Sequence, residues 1–137
     1  MLATILQAND GSGHADKALA LTLAKQNGSE LHMVCVEEIP ALPEFIEEIR
    51  EMTAVAGRRF HKVVQRARGR AEQERITFHS HLLAGHPVRR IVDLAGALPA
   101  DLLVIGATGH SALYERMIGS RADRIVQLAP CPVLVVK

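Results

Sequence analysis

The sequence predicts an α/β protein, a layer of parallel strands with helices on both faces. Two observations carry this. Short apolar runs alternate with stretches of helical periodicity from one end of the chain to the other. That alternation marks β-α-β units, which build parallel sheets through right-handed crossovers. The apolar runs are also near-continuous, as in Leu102-Leu103-Val104-Ile105 and Val133-Leu134-Val135-Val136. Strands buried on both faces read this way.

Taken in order, Leu2 to Ala8 reads as the first strand, with β-branched Thr4-Ile5 at its centre. The cluster Asn9-Asp10-Gly11-Ser12-Gly13 ends it, and Ser12 is suited to cap a helix running to about Gln26. Leu19, Leu21, Leu23 and the alanines around them supply that helix with an apolar face. Asn27-Gly28 closes it with a left-handed stop. Glu30 to Val36 is the second strand. Pro40 and Pro43 break the chain, and Glu44 to about Arg75 reads as a long helix. Its apolar residues, Phe45, Ile49, Met52, Ala56, Phe60, Val63, Ala67 and Ala71, keep helical spacing. Gly57 is its weak point, a place for a kink. Acidic residues fill its first half and basic residues its second, which suits the helix dipole.

Ile76 to Ala84 alternates as a third strand. Gly85-His86-Pro87 then turns into a helix that ends near Leu98, with Pro87 at a first-turn position. Asp101 to Ile105 is the fourth strand, Leu113 to Leu128 the last helix, and Val133 to Val136 the fifth strand.

The chain has 137 residues, which predicts one domain over 1–137. Hydrophobic residues make up 48% of it and aromatics only 3%, so the core must be aliphatic. The net charge of +1 argues against a nucleic-acid binder, which would carry a basic excess. The basic run from Arg58 to Arg70 lies around an amphipathic helix and reads as its solvated face. Two cysteines, Cys35 and Cys131, cannot make a disulfide framework. Both lie in apolar runs and read as buried thiols in a reducing compartment. No apolar stretch reaches membrane-spanning length and no signal peptide is evident. The expectation is a soluble cytoplasmic protein with no membrane partner.

Function concentrates between Gly106 and Ser120, GATGHSALYERMIGS. Gly106, Gly109 and Gly119 are spaced as Gly-x2-Gly-x9-Gly and followed by Ser120. They lie between a buried strand and a helix. Glycine there lets a ligand approach the backbone, and a helix N-terminus behind it favours an anion such as phosphate. A Walker P-loop, G-x4-G-K-[ST], is absent. Gly11-Ser12-Gly13 begins like a dinucleotide fingerprint, but Asp16 stands where the third glycine belongs.

This spacing resembles that of the universal stress protein family, in its ATP-binding branch. ILQANDGS, GHPVRRIVDLAGALPADLLVIG and PCPVLVVK also resemble family segments, so the likeness spans essentially the whole chain. It implies a three-layer sandwich with a five-stranded parallel sheet of order 3-2-1-4-5, similar to adenine nucleotide alpha hydrolases. The switch point then lies between strands 1 and 4, where open sheets bind ligands. Asp10 and Gly106 end those strands and should face one crevice.

The resemblance also implies the ligand, ATP with ADP or AMP as alternatives, and a binding set. Ala8 and Val36 match positions lining the base pocket, although the family usually has proline at the first. Asp10 matches the acidic residue, for ribose or for a divalent cation, Mg or Mn. Gly106, Ala107, Gly109, His110, Gly119, Ser120 and Arg121 complete the set. Ser120 and the N–H groups of Gly109 and Arg121 would hold phosphates. Arg121 departs from the small apolar residue common there. It either adds charge toward the phosphates or points to solvent.

The chain has seven histidines. His79 and His81 share a strand face, with His86 close after, but no cysteine or carboxylate completes a zinc spacing in sequence. Surface histidines are the expectation, and no catalytic triad can be assembled. The function expected is a nucleotide-dependent regulatory module of the stress response, acting on a regulatory protein partner that the sequence does not name. The alternative is a slow ATPase or phosphotransferase using the same site. The fifth strand would be an edge in the order 3-2-1-4-5. Pairing with the same edge of a second copy predicts a homodimer, as the resemblance also suggests.

Overall fold

The structure is a computed structural model that describes residues 2–9, 15–38, 46–107 and 119–137. Side chains are described from 16 in the second segment and from 60 in the third. The elements run β1 (Thr4–Asn9), α1 (Ala15–Asn27), β2 (Glu30–Glu38), α2 (Ile46–Gln73), β3 (Phe78–Gly85), α3 (Pro87–Ala97), β4 (Leu102–Gly106), α4 (Ser120–Leu128) and β5 (Val133–Val136). All neighbouring strands pair in parallel, and the sheet order is β3-β2-β1-β4-β5. The alternating pattern and the order expected by resemblance are both observed. Strand bounds shift by one or two residues and β5 falls where the sequence puts it, whereas the last helix, expected from Leu113, begins as α4 at Ser120, with 113–118 outside the described residues.

The central strands carry the core because each is covered on both sides. In β2, every residue from Leu31 to Cys35 is buried. On one face Leu6, Val34, Leu103 and Ile105 pack with Val88, Ile91 and Ala95 of α3 and Ala122 and Ile125 of α4. On the other, Ile5, Leu31 and Val104 meet Ala20 and Ala24 of α1 and Ala71 of α2. Met33 and Cys35 meet Phe60 and Ala67 of α2. Full burial of a single such side chain is worth roughly 1.5–3 kcal/mol. The apolar stripe read for the long helix holds over its described side chains. α2 is uninterrupted through Gly57, where a kink was expected.

The face of α1 carries the apolar residues expected, with the small ones deepest. Asp16, Ala20 and Ala24 are buried, while Leu19, Leu21 and Leu23 are only half-buried. Small side chains let α1 lie close to the sheet, and the leucines flank the contact. The starts of β1 and β4 are tied by Asp101, whose Oδ2 accepts the N–H groups of Ala3 and Thr4, each at 2.9 Å. This clamp sets the register that brings the other ends of the two strands level. Cys35 and Cys131 are not bridged to each other. β1 and β4 lie between the strand of Cys35 and the strand that follows Cys131, as the order requires.

Candidate functional site

The carboxyl ends of β1 and β4 lie side by side, because Gln7 pairs with Val104 and both strands run on from there. The chain leaves β1 for α1 on one face and reaches β4 from α3 on the other. This is the geometry of a switch point, the place where open parallel sheets take their ligands. The N–H of Ala107 donates to the carbonyl of Val136 at 2.8 Å, holding the end of β4 against β5. The N–H of Gly119 donates to the carbonyl of Ala107 at 2.7 Å. That bond seats the start of α4 beside the end of β4.

Gly119 is the N-cap of α4, at φ −62° and ψ 156°. Any residue adopts that conformation, so glycine is not demanded there by backbone angle. Gly119 has no side chain to cap this end, and no side chain among the described residues does so. The first N–H groups of a helix need a partner, and an anion supplies one. Ser120 and Arg121, the first two residues of α4, are exposed at this end.

Ala8 and Val36 are half-buried against the α3–α4 face of the core, on neighbouring strands near their carboxyl ends. The structure thus brings Ala8, Val36, Gly106, Ala107, Gly119, Ser120 and Arg121 to one end of the sheet. Asp10, Gly109 and His110 lie outside the described residues.

One residue of this region was not legible in sequence. Arg121 Nη2 donates to Glu38 Oε2 at 2.6 Å. Glu38 is the last residue of β2, and β1 lies between β2 and β4. The ion pair therefore reaches across the end of β1. Arg121 does not simply point into solvent. Glu38 stands 83 positions away in sequence, and only the sheet order makes the two neighbours.

A buried polar pair lies beneath the first turn of α1. Gln7 Nε2 donates to Asp16 Oδ2 at 2.7 Å and to the Ala8 carbonyl at 2.8 Å. Burial pushes the Asp16 carboxyl above its usual range, opposed by the Gln7 hydrogen bond. The residue that breaks the dinucleotide fingerprint is thus a core-facing support for the end of β1.

An open parallel sheet with helices on both faces and a switch point between β1 and β4 define a class, the doubly wound α/β proteins. Within that class, the chain matches the universal stress protein family model over residues 1–137. It is 34% identical over 124 residues to universal stress protein MJ0531 of Methanocaldococcus jannaschii, covering 86% of this chain and 71% of that protein. It is 32% identical over 146 residues to a universal stress protein of Thermus aquaticus, covering 100% of both. The chain belongs to the universal stress protein family.

Solved structures share the fold. The universal stress protein UspA of Lactobacillus plantarum superposes with a TM-score of 0.82 at 23% identity, over 99% of this chain and 98% of its own. A universal stress protein in complex with cAMP matches with a TM-score of 0.71 at 24% identity, over 99% and 97%. A family member from Arabidopsis thaliana with AMP bound matches with a TM-score of 0.67 at 15% identity, over 98% and 91%.

Proposed function

We propose that this protein is a nucleotide-dependent regulator that binds an adenine nucleotide, ATP with ADP or AMP as alternatives, in the crevice between β1 and β4. The observation that carries the reading is the hydrogen bond from Gly119 to Ala107, which sets the uncapped N-terminus of α4 beside the end of β4. Phosphates would accept from Ser120 and from N–H groups of the glycine loop, those of Gly109 and Arg121. Ala8 and Val36 would wall the base. Asp10 would take a ribose hydroxyl or a divalent cation bound to the phosphates, Mg or Mn. Related structures carrying cAMP and AMP support the adenine class of ligand.

The regulatory reading follows from the position of the ligand. A nucleotide in this crevice would touch the ends of two strands, one loop and one helix at once, and could change the surface offered to a protein partner. We also propose a homodimer, formed through the edge of β5.

Calorimetry with ATP, ADP, AMP and cAMP tests the site. Binding is expected in the wild-type chain and is expected to be lost in Gly109→Val and Gly119→Val, where a branched side chain occupies the approach of the phosphates. Equal affinity in all three proteins would overturn the assignment. Measuring phosphate release in the same samples tests the alternative of a slow ATPase or phosphotransferase.

A further inference from the structure

The sequence predicts scattered surface histidines, but the sheet gathers three of them around a carboxylate. β2 and β3 pair so that His32 lies opposite His79, and Val34 opposite His81. Glu30 and His32 are two apart on β2, and His79 and His81 two apart on β3. Each pair therefore shares one face of the sheet. The rings of His32 and His79 stack with centroids 4.6 Å apart, and those of His32 and His81 with centroids 5.2 Å apart. His32 Nε2 stands 3.5 Å from Glu30 Oε2, and His32 Nδ1 stands 2.9 Å from His81 Nε2. One ligand atom from each of Glu30, His32 and His79 falls within 4.8 Å of the other two.

We propose that Glu30, His32 and His79 form a binding site for a late divalent transition metal, with zinc as the reference ion and His81 as the residue that orients His32. The donor set is chemically suited, since imidazole with one carboxylate favours zinc, copper and nickel over magnesium and calcium. In a tetrahedral site with bonds of about 2.0–2.1 Å, ligand atoms stand about 3.3 Å apart. His32 and Glu30 are already near that separation. The remaining closure falls to His79 and Glu30, which are both exposed and move without disturbing the core.

His32 is the fixed point, because it is only 8% exposed and sits in the pleat between Leu6 and His79. When its Nδ1–H donates to His81, its Nε2 presents a lone pair toward the Glu30 carboxylate. Two acceptors then face each other, and a cation between them resolves the repulsion. Metal-bound histidines are commonly held by such a second hydrogen bond, which fixes both tautomer and ring orientation. Three protein ligands leave a fourth position for water, on the side where His79 is open.

The site is separate from the nucleotide crevice. It uses the first residues of β2, and the crevice takes its carboxyl end. The six residue steps from Glu30 to Val36 span about 20 Å at the usual rise.

Titrating the untagged full-length chain with CoCl2 tests the proposal. One equivalent is expected to bind with visible d–d absorption of four-coordinate intensity, and ZnCl2 is expected to displace it. His79→Ala and Glu30→Ala should each weaken zinc binding at least about tenfold, with circular dichroism and melting unchanged because both side chains are exposed. His81→Ala should weaken it about 10–100-fold while retaining one equivalent, as loss of an orienting partner does. His61→Ala and His86→Ala should leave it unchanged. Absence of the d–d bands, or wild-type affinity in His79→Ala, would overturn the site.

Discussion

Arg121 shows how a residue at the mouth of the proposed crevice is already engaged. Its partner Glu38 places a negative charge at the point where the proposed phosphates would lie. Both side chains are more than half exposed, at 58% and 60%, so the pair is worth at most about 1 kcal/mol. A phosphate can therefore compete for the guanidinium. Glu38→Gln is expected to tighten ATP binding about two- to fivefold, the range open to a surface ion pair. The gain should shrink in an Arg121→Ala background, because part of it comes from releasing the arginine. Calorimetry on the two single variants and the double variant gives the coupling. An unchanged affinity in Glu38→Gln would show that Arg121 does not reach the phosphates. At this scale the sequence marked Arg121 as unusual but left its role open, since its partner lies on another strand.

The helix ends show where local sequence is sufficient. Asn27-Gly28 predicts a left-handed stop, and Gly28 has φ 65° with Ser29 N–H bonded to the Ala24 carbonyl at 2.9 Å. Pro87 opens α3 as its ring allows. α2 ends by the same device without the usual residue. Ile76 N–H bonds to the Ala71 carbonyl at 2.8 Å and Arg75 N–H to the Glu72 carbonyl at 3.1 Å, which is the Schellman pattern. Arg75 stands at its left-handed position with φ 57°. A residue with a Cβ pays about 1–2 kcal/mol there, and glycine gives back part of the gain through the entropy of the unfolded chain. Arg75→Gly is therefore expected to stabilise the protein by roughly 0.5–1 kcal/mol. Urea unfolding with an unchanged slope would measure it, and a lower midpoint would contradict the cap. The sequence ends this helix at about Arg75 but does not show the device, because arginine gives no turn signal. The sequence named the apolar face of α1 but not which residues lie deepest, since periodicity registers apolar size while close packing here buries Ala20 and Ala24 most fully.

At the scale of the molecule, the order β3-β2-β1-β4-β5 leaves β5 with one partner. Carbonyls of Pro132 and Val136 accept from β4 and from Ala107, so alternate residues of β5 face inward. Val133 and Val135 therefore turn their own N–H and C=O groups to the open edge. An apolar edge of this kind invites another strand. The proposed homodimer would use those groups, antiparallel about a two-fold axis. Val135→Pro removes one outward donor while sparing the inward ladder, a position where an edge strand tolerates proline. Sedimentation is expected to show a dimer at micromolar concentration for the intact chain and a monomer for Val135→Pro, with unchanged circular dichroism. A monomeric intact chain would refute the edge pairing.

The sequence by itself determined the alternation of strands and helices and the parallel class of the sheet. These are local properties: apolar run length, helical periodicity and turn residues act within a few positions of themselves. It also carried the family, through a motif whose residues are close in the chain. Tertiary structure alone decided the bond between Gly119 and Ala107, the Arg121–Glu38 pair across β1, and the gathering of Glu30, His32, His79 and His81. The first two depend on how α4 sits against the ordered sheet, and the last on register between β2 and β3. Register is set by the whole core at once, since moving a strand by one residue turns all its side chains to the opposite face.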